Sequence, residues 1–142
     1  AEGSAFLHDA WANDEDVLTK LPIAADTVAD SISAGLPRDR IKALTAVRQT
    51  NGAFITVTDE QILAAIPALA QGSGVFAEPA SAATYAGFLK ATQTGLIGPD
   101  ARVALILTGS GLKDVQSAMK SVGEAMIIPA EITAVEHIFN QS

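Results

Sequence analysis

Val103-Ala104-Leu105-Ile106-Leu107-Thr108-Gly109-Ser110-Gly111-Leu112-Lys113-Asp114 is the stretch whose reading decides the fold. Five consecutive apolar residues at 103–107 match a strand buried on both faces, as in a parallel sheet covered by helices. A hydroxyl residue and a Gly-Ser-Gly turn follow. In open α/β sheets ligands sit beyond the carboxyl ends of the strands, so Thr108 is placed where a ligand would be met. The same pattern also suits a plain tight turn between a buried strand and its helix. The expected fold class is α/β, a mostly parallel sheet with helices on both faces.

The 142 residues have the length of one domain, and a net charge of −7 argues against a nucleic-acid or anionic-membrane surface. No cysteine is present, which excludes disulfides and thiolate metal sites and suits a cytoplasmic location. No apolar segment approaches the roughly 20 residues of a membrane helix. Alanine dominates the apolar fraction and aromatics are few, which favours helices packed closely on a sheet.

Outward from the central stretch, local signals predict further elements. Phe6, Leu7, Ala10 and Trp11 share one helix face, with Ser4 as a possible cap. Residues 21–35 read either as a structured loop lining a cavity or as a short helix over 27–32 capped by Asp26. Pro37 suits the first turn of a helix that ends at Asn51-Gly52, and residues 53–57 then read as a strand. Thr58-Asp59-Glu60-Gln61 is a capping box, Pro67 should kink the helix it opens, and Gly72-Ser73-Gly74 should end that helix. Glu78-Pro79 opens a helix with a small-residue face, closed at Gly95. A helix is expected over 112–122, a short strand over 126–128, and a terminal helix after Pro129. No linker or repeat interrupts the chain, so residues 1–142 are read as one domain.

Spacing yields no catalytic motif. There is no nucleophile elbow, phosphate loop or dinucleotide fingerprint, and His8 and His137 are too isolated for a zinc pair.

Several motifs in order nonetheless resemble a known family: Ala1-Glu2-Gly3-Ser4, Thr27-Val28-Ala29-Asp30-Ser31-Ile32, Leu36-Pro37-Arg38-Asp39-Arg40, Gly74-Val75-Phe76-Ala77-Glu78-Pro79-Ala80-Ser81-Ala82-Ala83, and Thr108-Gly109-Ser110-Gly111-Leu112-Lys113-Asp114. They are similar to the C-terminal part of threonine synthases, members of the fold-type-II group that uses pyridoxal phosphate. The resemblance reaches to about Met119.

The resemblance implies that the Thr108 hydroxyl meets the cofactor's pyridine nitrogen and that Gly109 lets the backbone approach the ring. It implies that Ser33-Ala34-Gly35 forms a loop near the cofactor face, and that Glu78 lies near the ring, with Lys113 as its expected ion-pair partner. Family members often carry His or Asn where Ser110 stands, next in the same loop. The lysine that bonds the cofactor and the loop that binds its phosphate belong upstream of Ala1. None of Lys20, Lys42, Lys90, Lys113 and Lys120 has the context of that lysine, so residues 1–142 alone are expected to be inactive. The implied partners are the N-terminal portion of the same enzyme and a second copy in a homodimer, with no nucleic acid and no membrane. An apolar face left without that portion should be exposed, and a second copy is expected to cover it. A serine or threonine dehydratase-like fragment and a free-standing, non-catalytic domain that binds a small molecule or a partner are the alternative readings.

Overall fold

The computed structural model describes residues 1–140. Six α-helices are present among them: α1 (Phe6–Ala12), α2 (Arg40–Gln49), α3 (Asp59–Ser73), α4 (Pro79–Gln93), α5 (Val115–Val122) and α6 (Ile132–Phe139). Short 3-10 turns lie at Glu2–Ser4, Asp30–Ile32 and Gly111–Lys113. α3 packs along α4, α5 packs on α3, α1 meets α2, and the Asp30–Ile32 turn lies against α4.

The parallel sheet expected from the sequence is not formed. Among the described residues the β pairing is one isolated antiparallel bridge, Ala77 with Ser110. Residues 103–107, 53–57 and 126–128, each read as a strand, join no ladder. A strand is completed by a second strand that takes its backbone N–H and C=O groups in register, and none pairs with these runs, although Glu2 N–H and Lys90 Nζ reach the Val57 and Thr56 carbonyls. Val103 and Ile106 are accordingly 45% and 75% exposed instead of buried on both faces. An apolar run specifies that a segment should be covered, but it does not supply the partner.

Elements whose cause is local do form. Thr58 Oγ1 accepts from the Gln61 N–H and the Gln61 side chain accepts from the Thr58 N–H, closing the capping box at the start of α3. α3 then runs through Pro67 without a break and stops at Gly74, whose φ of 74° suits a residue without a Cβ. Thr58→Ala is expected to cost about 1 kcal/mol in urea denaturation; an unchanged midpoint would show that the box contributes nothing.

Other ends fall differently from expectation. α2 begins at Arg40, three residues after Pro37, though Asn51 does take the expected left-handed conformation (φ 52°) just past its end. Ser4 does not cap α1. Its Oγ donates to the Ile32 carbonyl and accepts from the Ala34 N–H, so a distant loop has claimed it.

Two small cores result. Ile62, Ala65 and Ile66 of α3 meet Ala82 and Ala86 of α4 with Ala29 and Val57; separately, Phe6, Ala10, Val17 and Leu44 cluster between α1 and α2. From Val103 onward large apolar side chains stay exposed, among them Leu112, Met119 and Ile127. No helix among the described residues is long and apolar enough to cross a membrane.

Candidate functional site

The N-terminus of α4 is the base of the site. Glu78 is its N-cap and Pro79 its first residue, where a missing N–H costs nothing and φ is already helical. One bridge away lies the 108–111 loop. The Glu78 N–H donates to the Gly109 carbonyl and the Gly111 N–H to the Phe76 carbonyl, each at 3.0 Å. Loop and helix start are thereby tied backbone to backbone.

Ser81, on the first turn of α4 and 1% exposed, makes the tie specific. Its Oγ accepts from the Thr108 N–H at 3.0 Å and the Gly109 N–H at 2.7 Å. The Thr108 Oγ1 lies 3.4 Å from the same oxygen. Thr108 as a residue is exposed, while its Oγ1 contact with Ser81 is part-buried.

Glu78 is buried, and its Oε2 lies 2.9 Å from Lys113 Nζ, the pairing expected from the sequence. The other oxygen faces Gly109 closely: a methyl carbon placed on Gly109 would lie 2.0 Å from Glu78 Oε1. Gly111 meets the Phe76 ring in the same way. Ser110 Oγ accepts from the Leu112 N–H, closing the 3-10 turn that carries Lys113.

Asp114 ends the stretch by capping α5, accepting the Ser117 N–H at 3.0 Å. Hydrogen bonding from the Ser117 side chain and then from its N–H holds the Asp114 carboxyl below the ordinary aspartate value. A group with a lowered native pKa stabilises fully above its unfolded value, about 4. That contribution is lost as pH falls through the native value. We expect the Ser117 amide resonance to titrate in that window in the native sequence and to stay flat in Asp114→Asn, which keeps the acceptor oxygen. A native resonance that does not move would overturn this.

Of the residues singled out in the sequence, the structure brings Glu78, Thr108, Gly109 and Ser110 together. Ser33, Ala34 and Gly35 share no hydrogen bond with that loop among the described residues. They follow the 3-10 turn that lies on α4, and they are held by Ser4 and by the Ile23 N–H, which donates to the Gly35 carbonyl at 3.0 Å. Gly35 is required there, because a Cβ would lie 2.1 Å from the Ile23 carbonyl oxygen. Ala34 borders a mainly apolar cleft of about 470 Å³ shared with Ser4, His8, Phe54 and Thr56. Sequence reasoning placed Ser81 in a family-like motif but gave it no role of its own. Its signal was a single hydroxyl among alanines one turn into a helix, too common a pattern to distinguish.

The set around Thr108, a neutral hydroxyl beside a glycine with the nearby carboxylate already paired to a lysine, is compatible with a heteroaromatic nitrogen. No group of three metal-ligating side chains occurs among the described residues.

Residues 1–109 match the model of the family described as "Pyridoxal-phosphate dependent enzyme". The chain is similar to threonine synthase of Mycobacterium leprae, 41% identical over 110 residues that cover 78% of this chain and 31% of that protein. It is similar to threonine synthase of Methanosarcina acetivorans, 43% identical over 118 residues, 82% of this chain and 29% of the relative. Threonine synthase of Halalkalibacterium halodurans is 43% identical over 115 residues, 80% and 32% of the two chains. The chain thus spans about 30% of the length of the curated relatives it matches. Thr108 and Gly109 fall at the end of the family match; Ser110 to Asp114 fall beyond it.

Proposed function

Because this chain belongs to the pyridoxal-phosphate-dependent enzyme family, we propose that it is the C-terminal cofactor wall of a threonine synthase. The reaction is the conversion of O-phospho-L-homoserine and water to L-threonine and phosphate. The observation that carries the reading is the Thr108–Gly109 loop held on the first turn of α4 by Ser81, in a chain similar to threonine synthases along most of its length.

When bound, pyridoxal phosphate supplies an electron sink for negative charge developing on the substrate's carbons. Thr108 would hold the ring nitrogen through its hydroxyl, and Gly109 would let the backbone lie close to the ring. Glu78, charge-balanced by Lys113, would keep its carboxylate beside that backbone, and Ser110 would hold the turn that presents Lys113. Ser33, Ala34 and Gly35 would border the other side of the cofactor. A hydroxyl at the ring nitrogen does not enforce ring protonation as an aspartate would, which favours elimination and replacement over transamination.

The lysine that bonds the cofactor would come from the N-terminal portion of the same enzyme. That portion would also cover the exposed apolar side chains at Val103 and Ile106, and the assembled enzyme would be a cytoplasmic homodimer.

The test is an assay of the full-length protein. Phosphate released from O-phospho-L-homoserine in equal amount with L-threonine supports the reading. Formation of 2-oxo acid and ammonia from L-serine or L-threonine without that activity would replace it with a dehydratase. Failure to bind pyridoxal phosphate would overturn both.

A further inference from the structure

Ser81 has a hydroxyl whose hydrogen-bonding capacity is fully assignable. A hydroxyl accepts two hydrogen bonds and donates one. Both acceptor positions of Ser81 Oγ are taken by the N–H groups of Thr108 and Gly109, at 3.0 and 2.7 Å. Its one hydrogen therefore has to be donated, and the acceptor within reach is Thr108 Oγ1 at 3.4 Å. Thr108 in turn accepts from Ser81, so its own hydrogen points outward.

We infer that Ser81 is a positioning residue that fixes the Thr108 hydroxyl as a donor toward the bound ligand. The inference rests on the cofactor reading of the site. A buried polar group leaves little freedom for the opposite arrangement. If Thr108 donated to Ser81, the Ser81 oxygen would need a third acceptor position, and its own hydrogen would lose its partner. The polarity is thus set by the two backbone N–H groups and passed through one serine oxygen to one threonine oxygen. A ligand atom facing Thr108 is selected as an acceptor: a ring nitrogen bearing a lone pair is favoured over the same nitrogen bearing a proton.

The backbone bonds and the hydroxyl relay are separable, because Thr108→Val removes the hydroxyl while leaving the N–H of residue 108 in place. The experiment is a double-mutant cycle in the full-length protein loaded with pyridoxal phosphate. It reads the dissociation constant for the cofactor and the pH dependence of its bound absorbance. In the Thr108 background, Ser81→Ala is expected to weaken binding about tenfold and to move the pH profile. In the Thr108→Val background the same change still frees the two backbone N–H groups and weakens binding, but it leaves the pH profile in place. A pH profile that Ser81→Ala moves in neither background, or equally in both, would show that Ser81 only holds the loop, and would overturn the inference. If Ser81→Ala does not accumulate, Ser81→Cys, of nearly the same size and a weaker acceptor, carries the same cycle with the same two outcomes. Wild-type protein that binds no pyridoxal phosphate would instead refute the cofactor reading itself.

Discussion

On the proposed function, replacing Gly109 by alanine should lower threonine formation by the full-length protein about 100-fold and destabilise its fold by about 2 kcal/mol. Gly109 is not among the glycines with positive φ, which are Gly74, Gly95 and Gly123. The cost is therefore steric. A methyl carbon at Gly109 would lie 2.0 Å from Oε1 and 2.3 Å from Cδ of Glu78, well inside contact distance. Glu78 is buried and anchored to Lys113, so it cannot swing aside without breaking that pair. Either the carboxylate or the loop has to move, and moving the loop takes Thr108 out of place. Urea denaturation measures the stability and a coupled phosphate assay the turnover. Glu78→Ala added to Gly109→Ala should recover part of the stability by removing the obstructing oxygens. A double variant no more stable than Gly109→Ala would disprove the steric origin.

The second large effect lies behind the site. Ile62→Ala should cost about 3–4 kcal/mol, a sizeable share of the total for a domain of ordinary stability. Ile62 is fully buried among Ala29, Val57, Ala65, Ile66, Ala82 and Ala86. Alanine neighbours have no side-chain length with which to fill the space left by the removed carbons, so the cavity would persist. Ala82 follows Ser81 directly, and a loosened α4 would weaken the hold on the 108–109 amides. Hydrogen exchange at the Thr108 amide should therefore speed up along with global unfolding. Ile62→Val, which removes one methyl group, should cost about 1 kcal/mol in the same titration. Equal losses for the two variants would mean that cavity size does not set the cost.

What could be read from the sequence divides along a physical line. The Thr58–Gln61 capping box, Pro79 at a helix start and the stop at Gly74 depend on residues a few positions apart. The runs at 53–57 and 103–107 depend on partners far along the chain, and the sheet inferred from them is absent. The start of the fifth helix shows the same division on a smaller scale. Apolar spacing placed it at Leu112, whereas Ser110 and Asp114, each capping its own short turn, move it to Val115. The proximity of Glu78 to Thr108 was legible only through family resemblance, because nothing local relates positions so far apart. Ser81 stands in a motif that carried the resemblance, but its role was legible by neither route: its partners are the backbone N–H groups of Thr108 and Gly109, and a backbone group leaves no mark on residue type.

The Ala77–Ser110 bridge has a consequence for timing. It closes a loop that contains all of α4 and the unpaired 103–107 run, and closing a loop of that length carries an entropic cost. The oxygen that receives the loop is on the first turn of α4, so the helix has to exist before the loop has anything to bind. The helical scaffold should consequently assemble first and the ligand wall last. On partial opening the order reverses, and the amides of Glu78 and Gly111 should exchange before those of the α4 interior. A newly made chain would thus pass through a stage in which it is folded but not yet able to bind.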